Sequence, residues 1–226
     1  MSKIFADVGG ATTANDGLSL DKWMQRLLVR FMGAPEALLR AELIDSVREF
    51  YKESCAWREQ VGPFHVYGGN ELIWVNPIDA YSEAVFIRRV WIQKPGENMR
   101  FLEPLSLRQT DGSVGEPRYF SLPDPYVIRL WPKPDVDMGP VLWIDTTLCP
   151  LPDSTRFPNV SLSHHFDAIL NVASARIFMI PNKPWTDLAL GMRFSQLSRR
   201  EITRFRSQSD QGYTNSDTGW KFPSFA

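Results

Sequence analysis

Cysteine and histidine are both scarce: the 226-residue chain has two of the first, Cys55 and Cys149, and three of the second. Two distant cysteines make neither a disulfide framework nor a four-cysteine metal site, so a reducing compartment is the simpler expectation. His164 and His165 stand near Asp167, but His164 and Asp167 alone are too few ligands for a metal and lack HExxH-type spacing. Neither a metal nor a cofactor is expected. Phosphate-binding loops are missing too, because Gly9-Gly10 and Gly68-Gly69 are pairs that do not lead from a strand into a helix, and they read as turns. There is no GxSxG elbow, and Cys55 on an apolar helical pattern reads as a buried thiol. No catalytic residue is expected. The first twenty residues lack a basic start followed by an apolar run, and no window approaches the ~18 apolar residues of a membrane span. The expectation is a protein neither secreted by that route nor integral to a membrane. An excess of one charge is lacking as well. The formal charge of -1 argues against a surface that clings everywhere to nucleic acid, so any polyanion contact is local.

What is present has the balance of a soluble globular protein, with 43% hydrophobic and 23% charged residues, enough for one domain or two. The longest helical pattern is PEALLRAELIDSVREFYKESCAWREQ, where Leu39, Leu43, Val47, Phe50 and Trp57 recur at helical spacing, widened by Ile44, Tyr51 and Cys55. Pro35 suits a first helical position and Gly62-Pro63 forbids continuation, which predicts a helix over about residues 35–59. Its outer face mixes Arg40, Glu42, Asp45, Arg48, Glu49, Lys52 and Glu53 and reads as solvated. Before it, Ser19 is a candidate N-cap and Gly33 a stop for a helix with Leu20, Trp23, Leu27, Leu28 and Phe31 on one face. Two amphipathic helices so closely joined pack as a hairpin. Residues 1–18 read as a loose polar arm.

Past residue 60 the texture changes. Of the 17 prolines, 13 lie between residues 61 and 160, where short alternating runs predict strands near residues 64–67, 71–75, 84–93, 117–121, 126–131 and 141–149. Five or six strands make a small barrel or sandwich. AVFIRRVWIQ carries large apolar groups on both alternate faces, so it is expected to be central and covered on both sides. LWIDTTL alternates Leu142, Ile144 and Leu148 with Asp145 and Thr147 and is expected to keep one wet face. After Pro158, SLSHHFDAILNVASARIFMI predicts a third helix ended by Pro181. A fourth runs over residues 186–206, capped by Thr186, with Leu188, Met192, Ile202 and Phe205 buried. That last stretch holds Arg193, Arg199, Arg200, Arg204 and Arg206 against Asp187 and Glu201, a local excess of positive charge.

The expected fold is α+β: residues 1–60 give an arm and a helical hairpin, 61–160 a β-rich insertion, 161–206 a second hairpin completing a four-helix platform, and 207–226 an extended polar tail. Eight tryptophans and many carboxylates leave room for a second reading, a β-rich carbohydrate-binding or glycan-cleaving protein. Trp23, Trp57, Trp91 and Trp143 nevertheless sit within regular elements, where burial accounts for them.

The order of these elements, with ELIDSVREFYKESCAWRE, AVFIRRVWI, EPRYFSL, YVIRLWPKP and the block from Phe157 to Ser207, resembles the head-to-tail adaptor (head-completion connector) proteins of tailed bacteriophages. Similar proteins carry Leu-Pro-Asp before the third helix, Gly-Ala inside it and Pro-Trp opening the fourth; here those places read Phe157-Pro158-Asn159, Val172-Ala173 and Pro184-Trp185. The resemblance implies a structural virion protein at the neck, formed in the host cytoplasm before assembly. It implies a homo-oligomeric ring, usually of twelve copies, that meets the portal on one side and a tail tube or nozzle protein on the other while genomic DNA passes through. On that reading no turnover chemistry is expected, Trp220, Phe222, Pro223 and Phe225 are portal anchors, and the five arginines contact a neighbour, the portal or DNA.

Overall fold

The computed structural model describes residues 20–75, 78, 82–106, 112–124, 126–152 and 165–211. Within them the chain is mixed α+β, with four helices and two four-stranded sheets. The helices are α1 (Asp21–Arg30), α2 (Glu36–Ser54), α3 (Phe166–Phe178) and α4 (Leu188–Gln211). The strands are β1 (Arg58–Val66), β2 (Leu72–Trp74), β3 (Ser82–Ile92), β4 (Arg100–Phe101), β5 (Glu103–Pro104), β6 (Tyr119–Asp124), β7 (Val127–Trp131) and β8 (Gly139–Pro150). The arm at residues 1–18, with Ser19 as a cap, lies outside the described residues, as do Leu162 and His164.

All four helices contribute to one apolar core. From α2 it takes Leu39, Leu43, Val47 and Phe50, all fully buried, and from α3 Ile169, Val172, Ala173 and Ile177. Small residues Ala168, Ala173, Ser174 and Ala175 are buried on α3, which lets neighbouring helices approach it closely. Trp23 of α1 stacks on Phe166 at 4.7 Å and donates its indole N–H to the Phe166 carbonyl at 3.2 Å, so the first and third helices are locked by one side chain. Met24 is buried where Leu28 was expected; Leu28 is 39% exposed, because the stripe of this short helix turns toward Trp23 and Leu27.

The predicted end of the second helix needs correction. It stops at Ser54, where Cys55 adopts a left-handed conformation (φ 52) and returns its N–H to the Tyr51 carbonyl. Trp57 is therefore off the helix, and Arg58 already pairs with Thr147 of β8. Pro35 is the N-cap, one position outside the helix. β1 and β8, the strands that open and close the β region, are antiparallel partners from Arg58↔Thr147 to Val66↔Gly139. Entry and exit consequently lie side by side, and Trp57, Ala84, Leu148 and Cys149 at this base join the helical core.

The first sheet has order β1-β8-β3-β4 and the second β2-β7-β6-β5. Val90, Leu142 and Ile144 from one meet Phe120, Ile128 and Leu130 from the other in a second core, so the arrangement is a sandwich and not a closed barrel. β3 is internal, but bulges at Ala84/Phe86 and Ile87/Arg89 break its alternation. Ile87, Val90 and Ile92 point into the sandwich core, whereas Phe86 is 56% exposed, so only part of β3 is covered on both sides. β8 corrects the other way. Thr146, Thr147, Leu148 and Cys149 are all fully buried, because the end of this strand passes between the sheet and the helices, and beyond its accessible start at Gly139 and Pro140 only Trp143 and Asp145 keep partial access to water.

Candidate functional site

The last helix is positioned by its own first turn. Asp187, and not Thr186, caps it: the Asp187 carboxylate accepts the Leu190 N–H at 2.9 Å, and the Asp187 N–H donates to the Phe178 carbonyl at 3.0 Å. Thr186 instead donates its hydroxyl to the Ile180 carbonyl in the preceding turn. Gly191 is where the helix presses on α3, since a Cβ there would stand 2.9 Å from Met179 Cγ. Beyond it Ser198, Ile202 and Phe205 are buried, and Phe194 stacks on Phe178 with the Arg30 guanidinium 4.9 Å from its ring. Leu188 and Met192, expected on the buried side, are 60% and 58% exposed, because the buried stripe follows Gly191, Ser198 and Ile202.

The helix also runs further than predicted, so residues 207–211 are not tail. They continue α4 onto the base of the β unit, where Ser209 donates its hydroxyl to the Cys55 carbonyl at 2.6 Å and accepts Arg58 on its own carbonyl at 2.5 Å. Asp210 meets Arg88 at 2.6 Å. Burial disfavours the Arg88 charge, but the Asp210 carboxylate and the Cys55 sulfur together more than offset this and hold its pKa above the usual arginine value. The anchors Trp220, Phe222, Pro223 and Phe225 lie outside the described residues.

Arg193, Arg199, Arg200, Arg204 and Arg206 are all exposed, and among the described residues none forms an ion pair. At 100° per residue, Arg193, Arg200 and Arg204 line the ridge opposite the buried face, with Arg199 and Arg206 along one flank. Several arginines elsewhere are matched, Arg48 with Glu83, Arg58 with Asp145 and Arg129 with Glu71, although the exposed Arg26, Arg89 and Arg118 also form no ion pair among the described residues. The largest cluster gathers Glu42, Asp45 and Glu49 of α2 around the Arg176 guanidinium at 2.8, 3.2 and 3.0 Å. Those carboxylates recur at i, i+3 and i+7, a signal in the sequence that a mixed-sign face obscured.

Groups that suggest acid–base chemistry have other occupations. His165 is buried against Phe50 and Phe205, with Nδ1 3.4 Å from the Tyr51 hydroxyl, and behaves as a core residue. Glu116, beside a depression of about 640 Å³ at the β3–β4 turn, accepts from Arg100 and Lys94, which hold its carboxyl below the usual range. Cys149 donates to Glu83 at 3.3 Å; burial first, then that carboxylate, pushes its thiol up to about 12. Among the described residues no cluster of three or more His, Cys, Asp or Glu side chains has a metal-binding arrangement, and no helix is long and apolar enough to cross a membrane. Sequence reasoning passed over one exposed aromatic pair: Trp74 (70% exposed) at the β2 edge and the neighbouring Tyr126 (40%), whose carbonyl accepts the Val75 N–H. No protein-family model matches this chain, and no curated protein matches it in sequence.

Proposed function

We propose that the chain is a structural head-to-tail adaptor of a tailed bacteriophage, a ring subunit between portal and tail around the DNA channel. The observation that carries this reading is the pairing of β1 with β8 above a core shared by helices from both ends of the sequence. It supports a four-helix platform from which a β unit projects as an insertion. A ring subunit needs such separate faces, for its neighbours, for the ring above and for the ring below. The arginine face of α4, which forms no ion pair among the described residues and keeps only the Arg204 guanidinium over its own Phe205 ring at 4.9 Å, supplies one such surface. On this reading the chain performs no turnover. Purified protein mixed with its portal is the test: light scattering should give a ring of about twelve copies bound to the portal, and persistent monomer without portal binding would exclude the adaptor.

The carbohydrate reading has one observation in its favour, the exposed Trp74 and Tyr126, since sugar rings stack on such faces. Glycan-array binding lost on Trp74→Ala would favour it, as would polysaccharide hydrolysis abolished by a single carboxylate substitution.

A further inference from the structure

We infer that the arginine ridge of α4 docks on the acidic ridge of α2 in a second copy of this chain. The inference rests on the ring proposed above and names its lateral contact. On α2, Asp45, Glu49 and Glu53 lie four residues apart along one side, and among the described residues Arg176 is the one cation bonded to Asp45 and Glu49. Glu53 is exposed and forms no ion pair among the described residues. Arg200 and Arg204 of α4 have the same spacing of four, a rise of about 6 Å on either helix. Two arginines can therefore meet two successive carboxylates when the helices lie alongside. Among the described residues no ion pair joins these ridges within one subunit, which leaves both available to a second copy. Donor and acceptor faces differ, which makes the contact heterologous, the kind that closes rings.

A protein partner is favoured over a phosphate backbone by what surrounds the arginines. Leu190 and Leu197 (37% and 38% exposed) border the ridge on one side, and Met192 and Leu188 flank it on the other. Exposed methionine beside arginine is interface composition, and a phosphate backbone has no use for the apolar surface that these leucines and methionine present.

Charge reversal tests the pairing. One variant carries Arg200→Glu and Arg204→Glu, the other Asp45→Lys and Glu53→Lys, leaving Glu42 and Glu49 on Arg176. Light scattering and native mass measurement over a concentration series should show wild-type assembly. Each variant alone should associate roughly tenfold or more weakly, since like charges then face each other. An equimolar mixture should recover assembly, because alternating copies match at every interface, and that recovery also shows that both variants fold. Should both variants prove misfolded by circular dichroism, Arg200→Gln with Arg204→Gln must still weaken association. Variants that assemble like wild type, or a mixture no better than its components, would overturn the contact and leave the ring standing. The same holds if the α4 variant loses only binding to non-specific duplex DNA. A wild type monomeric at every concentration overturns the contact, and the ring falls with it only if the protein also stays monomeric and unbound when mixed with its portal.

Discussion

Cys149 and Arg176 show how single residues in this chain are fixed by what surrounds them. Cys149 has no exposed surface, and its thiol is raised by burial and by Glu83, so it should resist thiol reagents in the native protein and react on unfolding. The folded thiol keeps its proton to about 12 while the unfolded one loses it near 9.0, so its contribution to stability is intact below pH 9 and is lost as pH rises from there toward 12. Alkaline denaturation of Cys149→Ala against wild type reads that difference, and an unchanged slope over this window would show that the thiol is not responsible. Arg176 poses the opposite case, a cation held charged among carboxylates. Burial works against its charge, and Glu42 and Glu49 more than offset that, leaving its pKa raised. Arg176→Met should cost about 1–2 kcal/mol at low ionic strength, since half-exposed pairs are individually weak but three carboxylates are left to repel. Added salt should recover part of the loss, as screening acts on that repulsion. Thermal melts at two salt concentrations check both statements.

At the scale of elements, the apolar stripe of α2 was legible because Leu39, Leu43, Val47 and Phe50 keep helical spacing, and the β region was legible from its prolines. The boundary between them was not. Trp57 falls in phase with the helical stripe, yet the tertiary pairing of Arg58 with Thr147 pulls the chain into β1 and Cys55 takes the left-handed turn. Gly62, just beyond, has φ +147, and a Cβ there would lie 2.8 Å from the Leu142 carbonyl. Gly62→Ala should therefore destabilise by about 1–3 kcal/mol through overpacking and backbone strain together. Chemical denaturation measures it, and a neutral substitution would mean that β8 can yield at Leu142. The end of α4 was misread for a different reason. Ser207–Gln211 has no apolar periodicity, but it also has no breaker before Gly212, and it is held by the Ser209 hydroxyl on Cys55, the Ser209 carbonyl under Arg58 and the Asp210 carboxylate on Arg88. An amphipathic pattern cannot reveal a helix end held by polar contacts.

Taken whole, the molecule divides between what the sequence pattern could specify and what only the assembled chain can. The arginines of α4 were visible as a charge excess, but that they form no ion pair among the described residues became a property only once Arg48, Arg58, Arg88 and Arg176 had found theirs. The course of α4 also sharpens the proposal that the aromatic residues beyond it grip a portal. Removing residues 207–226 would cut the helix and delete Ser209 and Asp210, at roughly 0.5–1.5 kcal/mol for each hydrogen bond lost. That deletion should lower the melting temperature by several degrees and so confuse folding with binding. Removing residues 212–226 instead leaves the clasp on Cys55, Arg58 and Arg88 intact, and the melting temperature should stay within about 1–2 °C of wild type. If Trp220, Phe222 and Phe225 are the anchors, this shorter protein loses portal binding, and the triple alanine variant of the full chain loses it equally, since each such side chain buries some 150–250 Å² on docking. A fall in melting temperature with portal binding retained would instead assign these aromatics to the subunit's own core.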